Sequence, residues 1–386
     1  MKKILLGTTG LIGAALLSAA AHAETPKVTL GGFADFQAGQ TSDDRDDNNR
    51  GHGFRNDNEI SVRVDGKTDG GLGYGAVIDL ETDITDNNNN SGGNATRTFT
   101  YLEGNWGRFE MGGNRGATAA MGITAGDVAV ATGGIDGDWT NFTNVDGTIA
   151  VPGATLAASG GFITKAKGFA DHGVTTALGD ENFYNSTKVS YYSPKFSGFQ
   201  VGASYTPDME DRGQTVARVD NAAGQFGEIF EIALGFDHQF ENGLKLGAAG
   251  TYENGDHDTA ANEDIRTYSI GALLGYQGWS AAASYGSWGD SGRAVNTNND
   301  DSDFWTLGAG YETGPFGLSA TYLNSTRETG ATTDNDFTNF VVGADYKLAP
   351  GLTPYAEVSF YEFDQGGAGG FDNDGTTFLL GTQVAF

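Results

Sequence analysis

A catalytic base is most often a histidine, and this sequence has five, of which His22 lies in the N-terminal apolar segment discussed below. The other four are His52, His172, His238 and His257. General-base or nucleophilic chemistry needs such a ring held against a serine, thiol or acid and oriented by a third group. His52, His172 and His257 fall in acidic, Asn-rich stretches that read as solvated loops. His238 falls on the apolar face of an alternating segment, where an interfacial ring fits better than a base. Ser284, within Ala283-Ser284-Tyr285-Gly286, has only a superficial likeness to a nucleophile elbow, because no strand-to-helix turn surrounds it. It reads as wall. No enzyme is expected.

Other chemistries are equally poorly supported. Cysteine is absent, which removes disulfides and thiolate metal sites. Gly73-Tyr74-Gly75 and Gly308-Ala309-Gly310 have no helix after them, so they read as positions with little side chain rather than phosphate loops. The Asp-rich stretches contain no twelve-residue, helix-flanked calcium loop. No cofactor is expected; loose Ca²⁺ or Mg²⁺ at the acidic loops is a lesser alternative to plain solvation. Fifty acids stand against 22 bases, a net charge of −28, which repels nucleic acid.

The elements that would position these residues begin with an export signal. Lys2 and Lys3 precede an apolar run from Ile4 to Leu17, and Ala21-His22-Ala23 supplies a small-x-small cleavage site. The apolar run is short of the ~20 residues a spanning helix needs. Residues 1–23 are therefore expected to be a signal peptide, with a mature N-terminus at Glu24. The length alone suggests two domains, but no Pro/Ser-rich linker or change of texture divides residues 24–386, which read as one domain.

From Val28 onward the dominant signal is alternation with a period of two. Phe340, Val342, Ala344, Tyr346 and Leu348 form one face of a segment whose other face is Val341, Gly343, Asp345 and Lys347. Phe230, Ile232, Leu234, Phe236, His238 and Phe240 likewise alternate with Glu231, Ala233, Gly235, Asp237 and Gln239. Short links such as Glu241-Asn242-Gly243, Gln277-Gly278 and Gly314-Pro315 suit tight hairpins. Between them come long acidic links, for example Thr41 to Arg50, Asp86 to Asn94, Asp256 to Asp264, Asn296 to Asp303 and Gln365 to Asp374. Short turns at one end and long loops at the other are the asymmetry of an outer-membrane barrel.

The pattern predicts an all-β, transmembrane antiparallel β-barrel of sixteen strands, near 27–39, 57–67, 72–83, 96–105, 107–113, 185–193, 199–206, 228–240, 244–254, 265–276, 279–289, 303–313, 316–324, 336–348, 352–363 and 375–386. Trp279 and Trp288 lie about 23 Å apart along the membrane normal for a tilted strand, and Phe378 and Phe386 roughly 20 Å, both matching a lipid-facing band ~25 Å tall. A soluble β-sandwich also alternates, but its solvent face would carry charge. Here the less greasy face is mostly Gly, Ala, Ser and Thr.

Three segments carry a family resemblance. Asn185-Ser186, Tyr191, Ser193-Pro194, Phe196, Gly198-Phe199 and Tyr205 resemble the N-S-x-x-Y-x-S-P-x-F-x-G-F element of the general diffusion porins of Gram-negative outer membranes, with a longer spacer between Ser186 and Tyr191. The hairpin Gly104-Asn105-Trp106-Gly107-Arg108-Phe109-Glu110-Met111-Gly112 is similar to another porin segment. Gly381, Val384 and Phe386 resemble the assembly signal of such barrels. The resemblance implies a homotrimer in the outer membrane, with lipid, lipopolysaccharide, the barrel-assembly machinery and small hydrophilic solutes as partners. It also implies a pore in each subunit, narrowed by a long third loop folded inward.

That loop would run from Asn114 to Tyr184. Within it, Ile149 to Ala158 could form an extra hairpin and give eighteen strands instead. Its acids Asp127, Asp136, Asp138, Asp146, Asp171, Asp180 and Glu181 outnumber Arg115, Lys165 and Lys167. Of these, Asp127, Asp136, Asp138 and Asp146 are the candidate constriction acids. Alternation places Arg63 and Lys188 on the inward face, with Arg97 near a strand end, as basic wall residues opposing them. A cation-preferring, water-filled channel for passive diffusion is expected. A substrate-specific channel is the alternative, but so few bases argue against phosphate, and Tyr192 and Tyr361 are too few inward aromatics for a sugar slide.

Overall fold

The computed structural model describes residues 25–44, 50–82, 94–143, 162–172, 186–209, 226–295, 302–330, 333–367 and 372–386. The alternating segments form sixteen strands: β1 (Lys27–Asp43), β2 (His52–Lys67), β3 (Gly73–Glu81), β4 (Asn94–Gly104), β5 (Gly107–Gly113), β6 (Thr187–Tyr192), β7 (Phe199–Asp208) and β8 (Phe226–Gln239). They continue as β9 (Lys245–His257), β10 (Ile265–Tyr276), β11 (Trp279–Gly289), β12 (Ser302–Thr313), β13 (Phe316–Gly330), β14 (Thr333–Tyr346), β15 (Leu352–Gln365) and β16 (Asp372–Ala385). Each pairs antiparallel with its sequence neighbours, and β1 closes on β16 in register from Phe33 opposite Ala385 to Asp43 opposite Gly375. Closure leaves no unpaired edge, which a lipid-exposed sheet cannot tolerate.

Alternation sorts the side chains. On β8, Phe230, Ile232 and Leu234 are exposed outward, while Ile229, Glu231 and Ala233 are buried inward. Turns at the short end follow their residue chemistry: Gln277 (φ 49°) and Gly278 (φ 87°) join β10 to β11 with the paired positive φ of a two-residue hairpin. The two central resemblance segments meet there. Tyr191 Oη donates to the Trp106 carbonyl at 2.6 Å, and the Phe109 ring lies between Trp106 and Tyr191, at 5.6 and 4.8 Å.

Three expectations need correction. First, strands run further toward the long-loop end than the apolar alternation does. β2 begins at His52 rather than near 57, and β13 and β14 reach Gly330 and Thr333 rather than 324 and 336. Beyond the lipid the ladder continues with polar residues, as where Thr326 Oγ1 donates to Asp336 Oδ1 at 2.6 Å across β13 and β14. Second, β5 pairs directly with β6, Arg108 opposite Tyr192 through Gly113 opposite Thr187. No place remains between them for two further strands, so the barrel has sixteen; Ile149–Ala158 lies outside the described residues.

Third, Trp288 does not belong to a lipid-facing girdle. Trp279 is 62% exposed outward, but Trp288 is 1% exposed and inward. Nine residues is an odd spacing, which puts the two rings on opposite faces of one strand. Phe378 and Phe386, eight apart, both face outward.

Candidate functional site

The third long connection leaves β5 and turns into the barrel. Its backbone, lacking a ladder of its own, finds partners on inward side chains strand by strand. Helix α1 (Ala117–Met121) starts this path: Ala117 N donates to Ser204 Oγ on β7 at 2.7 Å, and Thr118 N to Glu231 Oε1 on β8 at 3.2 Å. Further on, Ala125 N donates to Thr306 Oγ1 on β12 at 3.0 Å. Val130 N and Ile135 N reach Ser319 Oγ and Thr321 Oγ1 on β13, both at 3.0 Å. Thr132 Oγ1 donates to Glu357 Oε1 on β15 at 2.7 Å. The loop then reaches β1, where Thr41 Oγ1 donates to the Phe142 carbonyl at 2.6 Å.

Gly308 and Gly310 make this close approach possible. A Cβ on Gly308 would lie 2.8 Å from Val128 and 2.9 Å from the Ala125 carbonyl, and one on Gly310 would lie 2.6 Å from the Val128 carbonyl. Apolar packing seals the contact. Trp139 is fully buried, its ring centroid 6.1 Å from Phe337 and 5.7 Å from Tyr361. Residues 162–172 dock beside it: Ser325 Oγ donates to the Ile163 carbonyl at 2.7 Å, and Trp288 Nε1 to the Lys167 carbonyl at 2.8 Å.

The inner wall from β2 to β5 is different. Arg55 Nη1 lies 3.2 Å from Asp57 on the same strand, and Arg63 Nε 2.9 Å from Asp65. Arg97 Nη2 lies 2.5 Å from Asp79 Oδ2, as an ion pair rather than an aligned hydrogen bond. Arg108 Nε lies 2.7 Å from Glu110, and its Nη1 lies 3.0 Å from Glu103. The Arg108 guanidinium also stacks on the Tyr101 ring at 3.8 Å, and Tyr101 Oη donates to Asp65. At the short-turn end of this wall lies a cavity of about 710 Å³ bounded by Lys67, Glu103, Arg108, Met121, Tyr192 and Gln200. At the opposite rim, just past the end of β1, the hydrogen bond that the protonated Asp44 carboxyl makes to Asp374, together with the charge of that group, holds Asp44 above its usual range.

The expected site residues fall into separate places. Asp138 comes nearest to a cross-lumen contact: Gln37 Nε2 donates to it at 2.7 Å, and Arg55 lies 3.6 Å away. Asp127 instead accepts from Thr124 N at 2.8 Å, capping a short 3₁₀ turn in the loop itself. Asp136 is half-buried, and its Oδ1 has no hydrogen-bond partner. Asp146 lies outside the described residues. Arg63 and Arg97 face inward as expected, whereas Lys188 is only 6% exposed beneath the root of the loop. Gly381 leaves room for the Tyr355 ring, whose hydroxyl donates to Asp35 at 2.9 Å, while Val384 and Phe386 face outward.

The other candidates resolve similarly. Tyr361 is buried under Trp139 and so is not exposed to a solute path, but Tyr192 lines the cavity. Ser284 is wall, its Oγ 2.6 Å from Thr306 Oγ1. His257 is not a free loop ring: it ends β9, and Thr259 N donates to its Nδ1 at 3.0 Å. His238 packs edge-on against Phe240 at 4.6 Å on the outer surface. Sequence reading missed Arg55 and Arg108. Their signal was present, as Arg55-x-Asp57, Arg63-x-Asp65 and Arg108-x-Glu110 put paired charges on one face.

Comparison with known proteins adds the following. A family model described as Gram-negative porin matches residues 8–366. Uncharacterized proteins of Rickettsia bellii and Rickettsia typhi are each 25% identical, over alignments covering 100% of both chains. The trimer form of OmpT, an outer membrane protein of Vibrio cholerae, covers 94% of this chain and all of its own, with a TM-score of 0.60 at 13% identity. An anion-selective porin from Comamonas acidovorans gives 0.60 at 18% identity over 94% of this chain and all of its own. A mutant of the Rh. blastica porin gives 0.57 at 17% identity over 93% of this chain and all of its own.

Proposed function

We propose, on the premise that the chain belongs to the Gram-negative porin family, that this outer-membrane channel passes small hydrophilic solutes and ions by diffusion and prefers cations. One observation carries the sign of the preference. Every arginine named on the open wall, Arg55, Arg63, Arg97 and Arg108, lies beside a carboxylate. Paired cations contribute little net field, so the remaining acids set the local potential. On the same wall Glu59 faces Glu81 across the β2–β3 ladder, so two carboxylates meet there. The Comamonas neighbour is described as anion-selective, but an 18% likeness carries the fold alone. Charge along the wall, which differs freely among barrels, decides the sign.

Reversal potentials in planar bilayers under a KCl gradient test the proposal. Cation preference is expected. Anion preference, or cation preference untouched when Asp127, Asp136 and Asp138 are neutralised together, defeats the assignment of those acids as constriction residues.

Three further parts of the reading rest on the family and the sequence. The channel assembles as a homotrimer, as the neighbour described as a trimer form suggests. Export uses the signal at residues 1–23, which lie outside the described residues; an intact mass beginning at Glu24 is the expected result. The segment around Gly381, Val384 and Phe386 is recognised by the barrel-assembly machinery, and lipopolysaccharide surrounds the acidic rim, with Ca²⁺ or Mg²⁺ at most loosely bridging the two.

A further inference from the structure

We propose that the ion-paired wall from β2 to β5 makes the channel selective for dipeptide-sized zwitterions over uncharged solutes of the same size. The inference rests on the channel reading above and names the solute class that this wall favours.

Three arginine–carboxylate pairs share one construction. In Arg55/Asp57, Arg63/Asp65 and Arg108/Glu110 the partners are two residues apart on one strand and face inward, at 3.2, 2.9 and 2.7 Å. Two residues of strand span about 7 Å. An extended dipeptide separates its ammonium and carboxylate by about the same length. As a pair opens and each side chain stands over its own strand position, a dipeptide lying along the wall presents its carboxylate to the arginine and its ammonium to the neighbouring acid.

The pairing also decides against other solutes. A lone anion that takes Arg63 leaves Asp65 facing like charge, and a lone cation that takes Asp65 strands Arg63. Exchanging one side of a partly exposed ion pair leaves the other charge to water, so the new contact returns little net. An uncharged solute offers neither group a partner. Only a zwitterion exchanges both contacts at once.

Preorganisation strengthens this. Tyr101 donates to Asp65 while its ring carries the Arg108 guanidinium at 3.8 Å and lies 5.7 Å from that of Arg63, so the groups are already fixed when a solute arrives. At the short-turn end of the track, Lys67, Glu103 and Arg108 border the cavity of about 710 Å³, room enough for a dipeptide with its hydration water.

Swelling of proteoliposomes containing the purified full chain provides the test. Alanyl-alanine is compared with N-acetyl-alanine N-methylamide, an uncharged molecule of nearly equal size, each corrected for protein-free vesicles. The dipeptide should enter about threefold faster, the scale that one partly exposed ion pair supports. Arg63→Gln combined with Asp65→Asn leaves the net charge unaltered and should lower the ratio toward one, with the two remaining pairs retaining part of the preference. Arg108→Gln with Glu110→Gln repeats the measurement at the second site should the first variant fail to assemble. Equal rates in the unsubstituted protein overturn the proposal, whatever the variants do, as does an advantage that is undiminished in an assembled double variant at each site. Absence of swelling with either solute would instead overturn the channel reading itself.

Discussion

From β7 round to β1 the inner wall carries hydroxyls, glycines, aromatics, a few carboxylates and the buried Arg327, which packs over Phe169 and Trp288, and the third loop covers them. From β2 to β5 it carries arginines paired with carboxylates, of which Arg108 with Glu103 borders a cavity. Both walls come from strands of the same alternation, and both must satisfy inward groups that lipid-facing positions never have to consider. One does so by packing a second layer of chain against itself, the other by pairing charges within its own plane. Trp139 is fully buried on the first wall, whereas Arg63 on the second keeps 39% of its side chain exposed. Coverage makes a wall rigid and inert; pairing makes it stable yet available to solutes.

The largest way to break this contrast is to empty the sealed side. Trp139→Ala removes the ring stacked on Phe337 and Tyr361, and large-to-small changes of this kind cost about 3–5 kcal/mol. The loss falls on loop docking rather than on the strand ladder. The barrel should still assemble, while protease cuts the third loop faster and single-channel current becomes noisier. Unaltered cleavage would mean that apolar packing does not hold the loop.

A smaller effect should come from the floor beneath the loop. Gly308→Val places atoms where Val128 and Ala125 already lie, and overpacking of this kind costs about 1–3 kcal/mol. Gly247→Ala is the control, because its nearest neighbours would stand 3.5 Å away. Faster cleavage in the first variant and none in the second is expected; equal behaviour would deny the glycines their role.

The smallest stability change should come from the open side. Arg55→Gln removes partly exposed ion pairs to Asp57 and Asp138, worth less than about 1 kcal/mol. Resistance of the folded barrel to heat should hardly move. The reversal potential should shift toward stronger cation preference, since two acids lose their counter-ion. A large loss of stability with no shift in potential would exchange the roles of the two walls.

Much of the barrel was legible because membrane strands must alternate and hairpin turns need particular residues. Sixteen segments and their order follow from those constraints, whereas the inward third loop is implied by the family resemblance alone. What alternation cannot report is a second layer inside. Trp288, Tyr361 and Phe337 look like girdle or solute-path aromatics in one dimension, and become core only because the third loop lies over them. Lys188 is concealed for a similar reason, at the foot of the same loop. Asp127, three residues after Thr124, also closes a local cap, and charge counting cannot tell a cap from a pore lining. Arg55 and Arg108, in contrast, could have been found from the Arg-x-acid spacing.

The seam between β1 and β16 has a consequence for chain topology. Phe386 N donates to the Gly32 carbonyl at 3.0 Å and Gly32 N to the Phe386 carbonyl at 3.1 Å, so the two ends of the strand series are hydrogen-bonded neighbours. The sixteen strands therefore form a ring that is cut at a single point, and the cut is not required by the ladder. Joining residue 386 to Lys27 by a short linker and reopening the chain at Asn242-Gly243 would retain every strand pairing as a circular permutant. In such a chain Phe386 keeps its place in the wall but no longer stands at the end of the strand series. The contribution of its ring to closure would then be separated from the assembly role proposed for the segment around it.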